Sequence, residues 1–257
     1  SERRGGMTGS QRILIDLARP QHWPADLVDV LETHHGALRS REVGPLSDRF
    51  DAAIYAIVDA LAPYSVVGWH CTRLAAHEIE DIRSRGMALL DVALVSRRVE
   101  AAIHHGLISV EHGERLKTAN QAGERYRAGM LWFCFFPPAI AGEGGIGDLL
   151  RYWGGEAVYN SHDRHPEMSK VIAGIGRPAI VEAEIPLAWC GGDRGLRLAM
   201  NIGQRFVVAR GTRSPNAMHV EDNIKRPLPP ELIRQVHVLP ASEFLRLSGC
   251  ASWLSPL

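Results

Sequence analysis

His70-Cys71-Thr72, a polar triplet at the end of the apolar run Val66-Val67-Gly68-Trp69, is the stretch of this chain best suited to chemistry. A thiol beside an imidazole suggests a nucleophile and its base. Neighbouring residues of a strand point to opposite faces, however, so the two would not meet, and a Cys/His hydrolase is the weaker reading. His162-Asp163-Arg164-His165 offers metal-ligand types without a clear third ligand and reads as a polar loop. Gly142, Gly144, Gly145 and Gly147 could cradle a phosphate, but no Lys-Ser/Thr follows them and no G-x-G-x-x-G is present. Residues 139–147 are therefore expected to form a mobile loop. Cys71, Cys134, Cys190 and Cys250 are far apart and form no CxxC pair, which argues against a zinc site.

The elements that must position the triplet are readable around it. Val66 to Leu74 reads as a short buried strand, and Ala75 to Arg85 as a helix stopped by Gly86. Upstream, Pro24-Ala25-Asp26 starts a helix running to about His34. Ser47-Asp48-Arg49 enters another through Leu61, with Phe50, Ile54, Ile57, Val58 and Leu61 on one face. Downstream, Val92, Val95, Val99 and Ile103 mark a helix, and 113–127 a further one. Their Arg, Lys and His content reads as a solvated face. Gly129 to Phe136 has the signature of a central strand. Asp148 is placed to cap a helix through Trp153, which Gly154-Gly155 interrupts. Pro178 to Leu187, Gln204 to Ala209 and Val236 to Leu239 read as strands, with a short helical turn at Pro229 to Ile233.

The chain has 257 residues, of which 46% are hydrophobic and 23% charged, with zero formal net charge. That suits one substantial globular core and gives no global pull toward nucleic acid or an anionic membrane. No apolar run approaches the roughly 20 residues of a membrane span. The start, Ser1 to Met7, lacks the apolar core of a signal peptide, so a cytoplasmic protein with reduced thiols is expected. From residue 64 onward strands outnumber strong helices without regular βα alternation, which favours an α+β fold.

Over about residues 64–240 the order of these stretches resembles the ADP-ribosyltransferases of the diphtheria-toxin and poly(ADP-ribose) polymerase type. The first strand there carries His-Gly-Thr or a relative, matched by His70-Cys71-Thr72, and a glycine–apolar–aromatic strand follows, matched by Gly129-Met130-Leu131-Trp132-Phe133. The resemblance implies a split antiparallel sheet core in residues 63–257, with a helical insert at about 87–128. Before it stand a helical N-terminal region at 11–62 and a disordered tail at 1–10. It implies NAD, consumed as a substrate, bound by His70, Cys71, Thr72, Trp132, Tyr152 and Tyr159, with Tyr152 ahead of Tyr159 as the ring on nicotinamide. Glu221 would be the catalytic carboxylate, with Glu143 and Glu156 as substitutes, and no metal would be needed. Cys71 replaces a small glycine, Trp132 stands where Tyr is common, and His219 removes the Glu-x-Glu of arginine-modifying toxins.

The implied chemistry fits these residue types. Cleaving the nicotinamide–ribose bond builds positive charge on the sugar, which a carboxylate near the 2′-OH stabilises in a dry cleft. An imidazole in a fixed tautomer can hydrogen-bond the adenosine ribose, and an aromatic ring can stack on the cationic nicotinamide. The expected activity is mono-ADP-ribosyl transfer to a protein or nucleic-acid acceptor, a glycosyltransferase-class reaction that a bacterial toxin or defence protein would use. The alternative is an inactive NAD-binding or protein-interaction module of the same fold. Taken singly, His70 also reads as a core histidine, Glu221 as a solvated strand residue or cap, and Tyr152 as core packing.

Overall fold

The computed structural model describes residues 13–39, 48–190, 195–211 and 220–257. The expected tail at 1–10, the Ser47 helix entry and His219 lie outside them. The chain runs β1 (Ile13–Ile15), α1 (Ala25–Thr33), α2 (His35–Arg39), α3 (Asp48–Leu61), β2 (Tyr64–Leu74), α4 (Ala76–Arg85), α5 (Val92–His104) and α6 (Val110–Thr118). It continues through β3 (Leu131–Cys134), α7 (Gly142–Arg151), α8 (Glu156–His162), α9 (Pro166–Gly174), β4 (Arg177–Pro186), α10 (Leu196–Ala209), β5 (Glu221–Ile224), β6 (Ile233–Val238) and α11 (Ser242–Ser248). The fold is α+β. No helix among the described residues is long and apolar enough to cross a membrane.

The sheet order is β5-β3-β2-β4-β6, all antiparallel, with β1 added parallel to β2. The N-terminal stretch thus contributes a strand as well as helices. One edge of β2 is paired with β4 from Ser65 to Leu74. The other edge carries β1 at Tyr64 to Val66 and β3 only at Trp69↔Cys134. Beyond Trp69 that edge has no strand beside it among the described residues. The sheet therefore splits where the sequence delivers His70-Cys71-Thr72.

Burial follows the alternation of β2. Tyr64, Val66 and Leu74 belong to the main core with α1, α3, α10 and Phe133. Trp69 and Cys71 face the other way, against Ile146, Leu150, Phe244 and Leu247 of α7 and α11. A third cluster joins α5 and α6 to α8 and α9 through Val95, Val99, Leu116, Trp153, Val158 and Ile172. The 87–128 insert is therefore anchored by its own buried face.

Two elements differ from expectation. Gln204 to Ala209 is the end of α10, because Leu198, Ala199, Ile202, Phe206 and Val207 form one buried stripe at helical spacing, and that packing outweighs the β preference of Phe206-Val207-Val208. The glycine-rich stretch is helical too: Pro138 to Ala141 forms a 3-10 turn, and α7 starts at Gly142. Burying Ile146 and Leu150 against the sheet offsets the poor helix propensity of its glycines. Asp148 accordingly lies inside α7 and caps nothing.

Gly86 shows how closely α4 is joined to the far side of the cleft. It has φ +79, and a Cβ there would meet the Leu228 carbonyl oxygen at 1.9 Å. The next residue, Met87, exchanges both backbone hydrogen bonds with Leu228, at 2.7 and 2.9 Å.

Candidate functional site

The split in the sheet opens into a cavity of about 830 Å³, roofed by α4, α5 and the segment after α6. Its wall includes His70, Cys71, Thr72 and Trp132 from β2 and β3, and Glu221 from β5. Register explains the placement. Trp69 pairs with Cys134, and Cys134 with Glu221, so Glu221 stands level with the last paired residue before the strands part. His70 is one residue further along β2. In this register Trp69, Cys134 and Glu221 point to one face of the sheet and His70 to the other, and residues of both faces line the cavity.

His70 is held from one side. Its Nδ1 lies 2.8 Å from the Trp132 carbonyl oxygen. A carbonyl only accepts, so Nδ1 carries the proton and Nε2 of the neutral ring is an acceptor. Burial moves the His70 pKa below its ordinary value. The Trp132 carbonyl opposes that shift, and the charge of Arg98 adds to it. Neutral His70 at pH 7 therefore presents one acceptor nitrogen. Thr72 is buried beside it on the same strand, and the Trp132 ring is 39% exposed.

Cys71 and Cys134 are both buried on the cavity wall. The Cys71 S–H donates to Cys134, and that bond, reinforced by burial, pushes the Cys71 thiol well above its usual range. A protonated thiol is a poor nucleophile, which weakens the hydrolase reading.

The two tyrosines are not brought to the cavity. Because α7 begins at Gly142 and ends at Arg151, Tyr152 falls at its C-terminal cap. It packs with Tyr159, ring centroids 5.9 Å apart, beside the cluster of α5, α6, α8 and α9. Burial pushes the Tyr159 hydroxyl pKa upward. The ring that the insert does supply is Tyr126, 64% exposed on the cavity wall with the Arg125 guanidinium 4.4 Å above it.

The substitute carboxylates separate as well. Glu143 is off the cavity wall, accepting from the Leu254 and Ser255 amides at 2.9 and 3.1 Å and from Arg151 at 2.9 Å. It tethers the C-terminal tail to α7. Glu156 does line the cavity, presented by Gly154 and Gly155 in left-handed backbone, with Arg127 at 3.5 Å. His162 and His165 serve local structure. His162 Nε2 lies 2.7 Å from the Ala119 carbonyl oxygen, and His165 caps α9. No group of three or more His, Cys, Asp or Glu side chains suited to a metal occurs among the described residues.

Sequence reasoning missed the polar side of the cavity, which comes from α4 and the insert. Glu78 is buried and accepts from Arg98 Nε at 2.6 Å, Trp153 Nε1 at 2.9 Å and the Ala75 amide at 2.8 Å. Burial alone would raise its pKa, but Arg98 and these hydrogen bonds hold the carboxyl below the usual range. The available signal was Glu at the third position of a helix, where it satisfies an amide before the first turn. Buried nitrogens without a hydrogen-bond partner also gather on this wall: Trp69 Nε1, His77 Nε2, Arg98 Nη2 and Arg127 Nε. Such atoms are uncommon in folded proteins, and each is costly to leave unpaired.

No family model, curated protein or solved structure matches this chain. Function must be argued from the cavity. It offers a neutral imidazole acceptor, an adjacent hydroxyl, two accessible aromatic rings and a carboxylate across the split, and several of its wall residues carry buried nitrogens without a hydrogen-bond partner.

Proposed function

We propose that this chain cleaves NAD and transfers ADP-ribose to a macromolecular acceptor, on an ADP-ribosyltransferase-like split sheet. The observation that carries the reading is the presence of His70 and Glu221, from strands on either side of the split, on the wall of one cavity large enough for a dinucleotide. In this reading His70 Nε2 accepts from a hydroxyl of the adenosine ribose. Thr72 holds the strand end or the nicotinamide ribose. The rings of Trp132 and Tyr126 are the ones available to the cationic nicotinamide, a role the sequence reading gave to Tyr152. The Glu221 carboxylate takes the ribose 2′-OH and stabilises the oxocarbenium-like state as nicotinamide leaves. The acceptor's nucleophile then attacks the anomeric carbon and gives up its proton. NAD is spent, and no metal takes part.

Incubation with NAD labelled in the adenosine half, in a cell lysate, tests this. Transfer predicts label on a macromolecule and release of free nicotinamide, both lost in Glu221→Gln. Binding of NAD with no release of nicotinamide would replace the transferase with an NAD-binding module.

A further inference from the structure

The guanidinium of Arg98 is held by Glu78 and by the Trp153 ring. Its Nε donates to Glu78 Oε1 at 2.6 Å, and its plane lies 4.6 Å from the centre of the Trp153 ring. Glu78 is itself held by Trp153 Nε1 and the Ala75 amide. Nη2 is the unsatisfied end: buried, without a hydrogen-bond partner, on a residue of the cavity wall. A guanidinium stays charged at any working pH, so this N–H calls for an acceptor that the protein does not supply.

Apart from Glu221, the carboxylates of the cavity wall are already paired with arginines. Asp81 is paired with Arg85, Glu156 with Arg127, and Glu78 with Arg98. Arg97, next to Arg98 on α5, is exposed on the same wall and has no hydrogen bond or ion pair among the described residues. Helix α5 thus brings to the same wall a partly exposed guanidinium, anchored by Glu78 and Trp153, and a neighbouring cation without an ion pair among the described residues. A planar donor edge with an adjacent cation is the recognition pattern for phosphate oxygens. The charge of Arg98 is also felt at His70, which puts the two within electrostatic reach of one ligand.

We infer that Arg98, aided by Arg97, holds the diphosphate of the dinucleotide, so that the helical insert is the phosphate-binding half of the site. The inference rests on reading the cavity as an NAD site. It fixes the ligand's orientation: the diphosphate lies against α5, and the two riboses reach from there to the His70 and Glu221 sides of the split.

Titration calorimetry of the full chain with ADP, adenosine and inorganic pyrophosphate tests the inference. Arg97→Ala alters an exposed side chain without a hydrogen bond or ion pair among the described residues, and the pair Glu78→Gln with Arg98→Met removes both charges of the ion pair together. ADP should bind at least about tenfold more tightly than adenosine, with pyrophosphate competing. Arg97→Ala should weaken ADP about threefold or more and leave adenosine unchanged, and the double variant should abolish the ADP-over-adenosine preference. Equal binding of ADP and adenosine by the native chain overturns the inference, as does unaltered ADP affinity in Arg97→Ala. If the double variant fails to fold, Arg97→Ala decides. The ADP preference with no consumption of NAD would overturn the transferase and leave the phosphate site standing. NAD consumption whose KM is indifferent to Arg97→Ala and to the double variant would do the reverse.

Discussion

His70 Nδ1 and the carbonyl oxygen of Trp132 lie 2.8 Å apart across the place where β2 and β3 separate. The bond spans two strands that share only one register pair, Trp69↔Cys134. It fixes the tautomer of the imidazole and keeps its second nitrogen available to a ligand. A side chain at the split thereby ties the edges of the cavity together.

His70 should therefore act as a neutral acceptor over an unusually wide pH range. Burial and Arg98 depress its pKa below 6.5. Protonation, which removes the acceptor, sets in only as pH falls through the depressed value, so NAD binding should stay flat as pH falls from about 8 past the ordinary histidine range and weaken only in more acid solution. The dependence of Kd on pH checks this. His70→Ala should lower affinity about tenfold and remove the acid limb.

Glu78 is expected to matter most for stability. Glu78→Ala leaves the Arg98 charge, the Trp153 N–H and the Ala75 N–H without their acceptor, and should cost about 3–5 kcal/mol in chemical denaturation. The folded pKa of Glu78 is lowered. Its stabilisation is therefore present above the unfolded carboxyl value and is lost as pH falls through the folded one. The native chain should lose stability in acid more steeply than Glu78→Gln does.

Gly86→Ala should fold poorly. The position has φ +79, and its Cβ would collide with the backbone of Leu228. Rigid backbone cannot yield as a side-chain tip can, so the cost should exceed about 1 kcal/mol, read as a lower Tm. By contrast, Gly106 also has positive φ but open space around it, so Gly106→Ala should cost less.

Cys71 should be chemically quiet. It is buried, hydrogen-bonded to Cys134 and raised in pKa. A thiol reagent at neutral pH should label the native protein slowly at Cys71 and Cys134. Cys71→Ala should keep most of any NAD-dependent activity. Rapid loss of activity on modification of Cys71 would revive a thiol mechanism.

Much of the strand framework was legible because its signals are local. Buried β2 with its alternating faces, the Gly86 stop of α4 and the apolar run of β3 each follow from residues within one element. That His70 and Glu221 line one cavity depends on pairings between distant strands, and only the order of short motifs hinted at it. Tyr152 was misplaced because the glycines before it suggested a loop. Ile146 and Leu150 instead pull that stretch into α7 and leave Tyr152 at its end. The arginines of α5 were read as solvent-facing because composition does not reveal which side of a helix meets a cavity. Arg98 differs from an ordinary surface arginine only through Glu78 and Trp153, 20 and 55 positions away in the chain.

The most direct test of the central claim is nicotinamide release from NAD by the purified chain with lysate as acceptor, native against Glu221→Gln. The account predicts NAD-dependent release and macromolecular labelling by the native protein, reduced about 100-fold or more when the carboxylate is lost, with NAD still bound. Release that is unchanged in Glu221→Gln, or a native chain that neither binds nor consumes NAD, would contradict it.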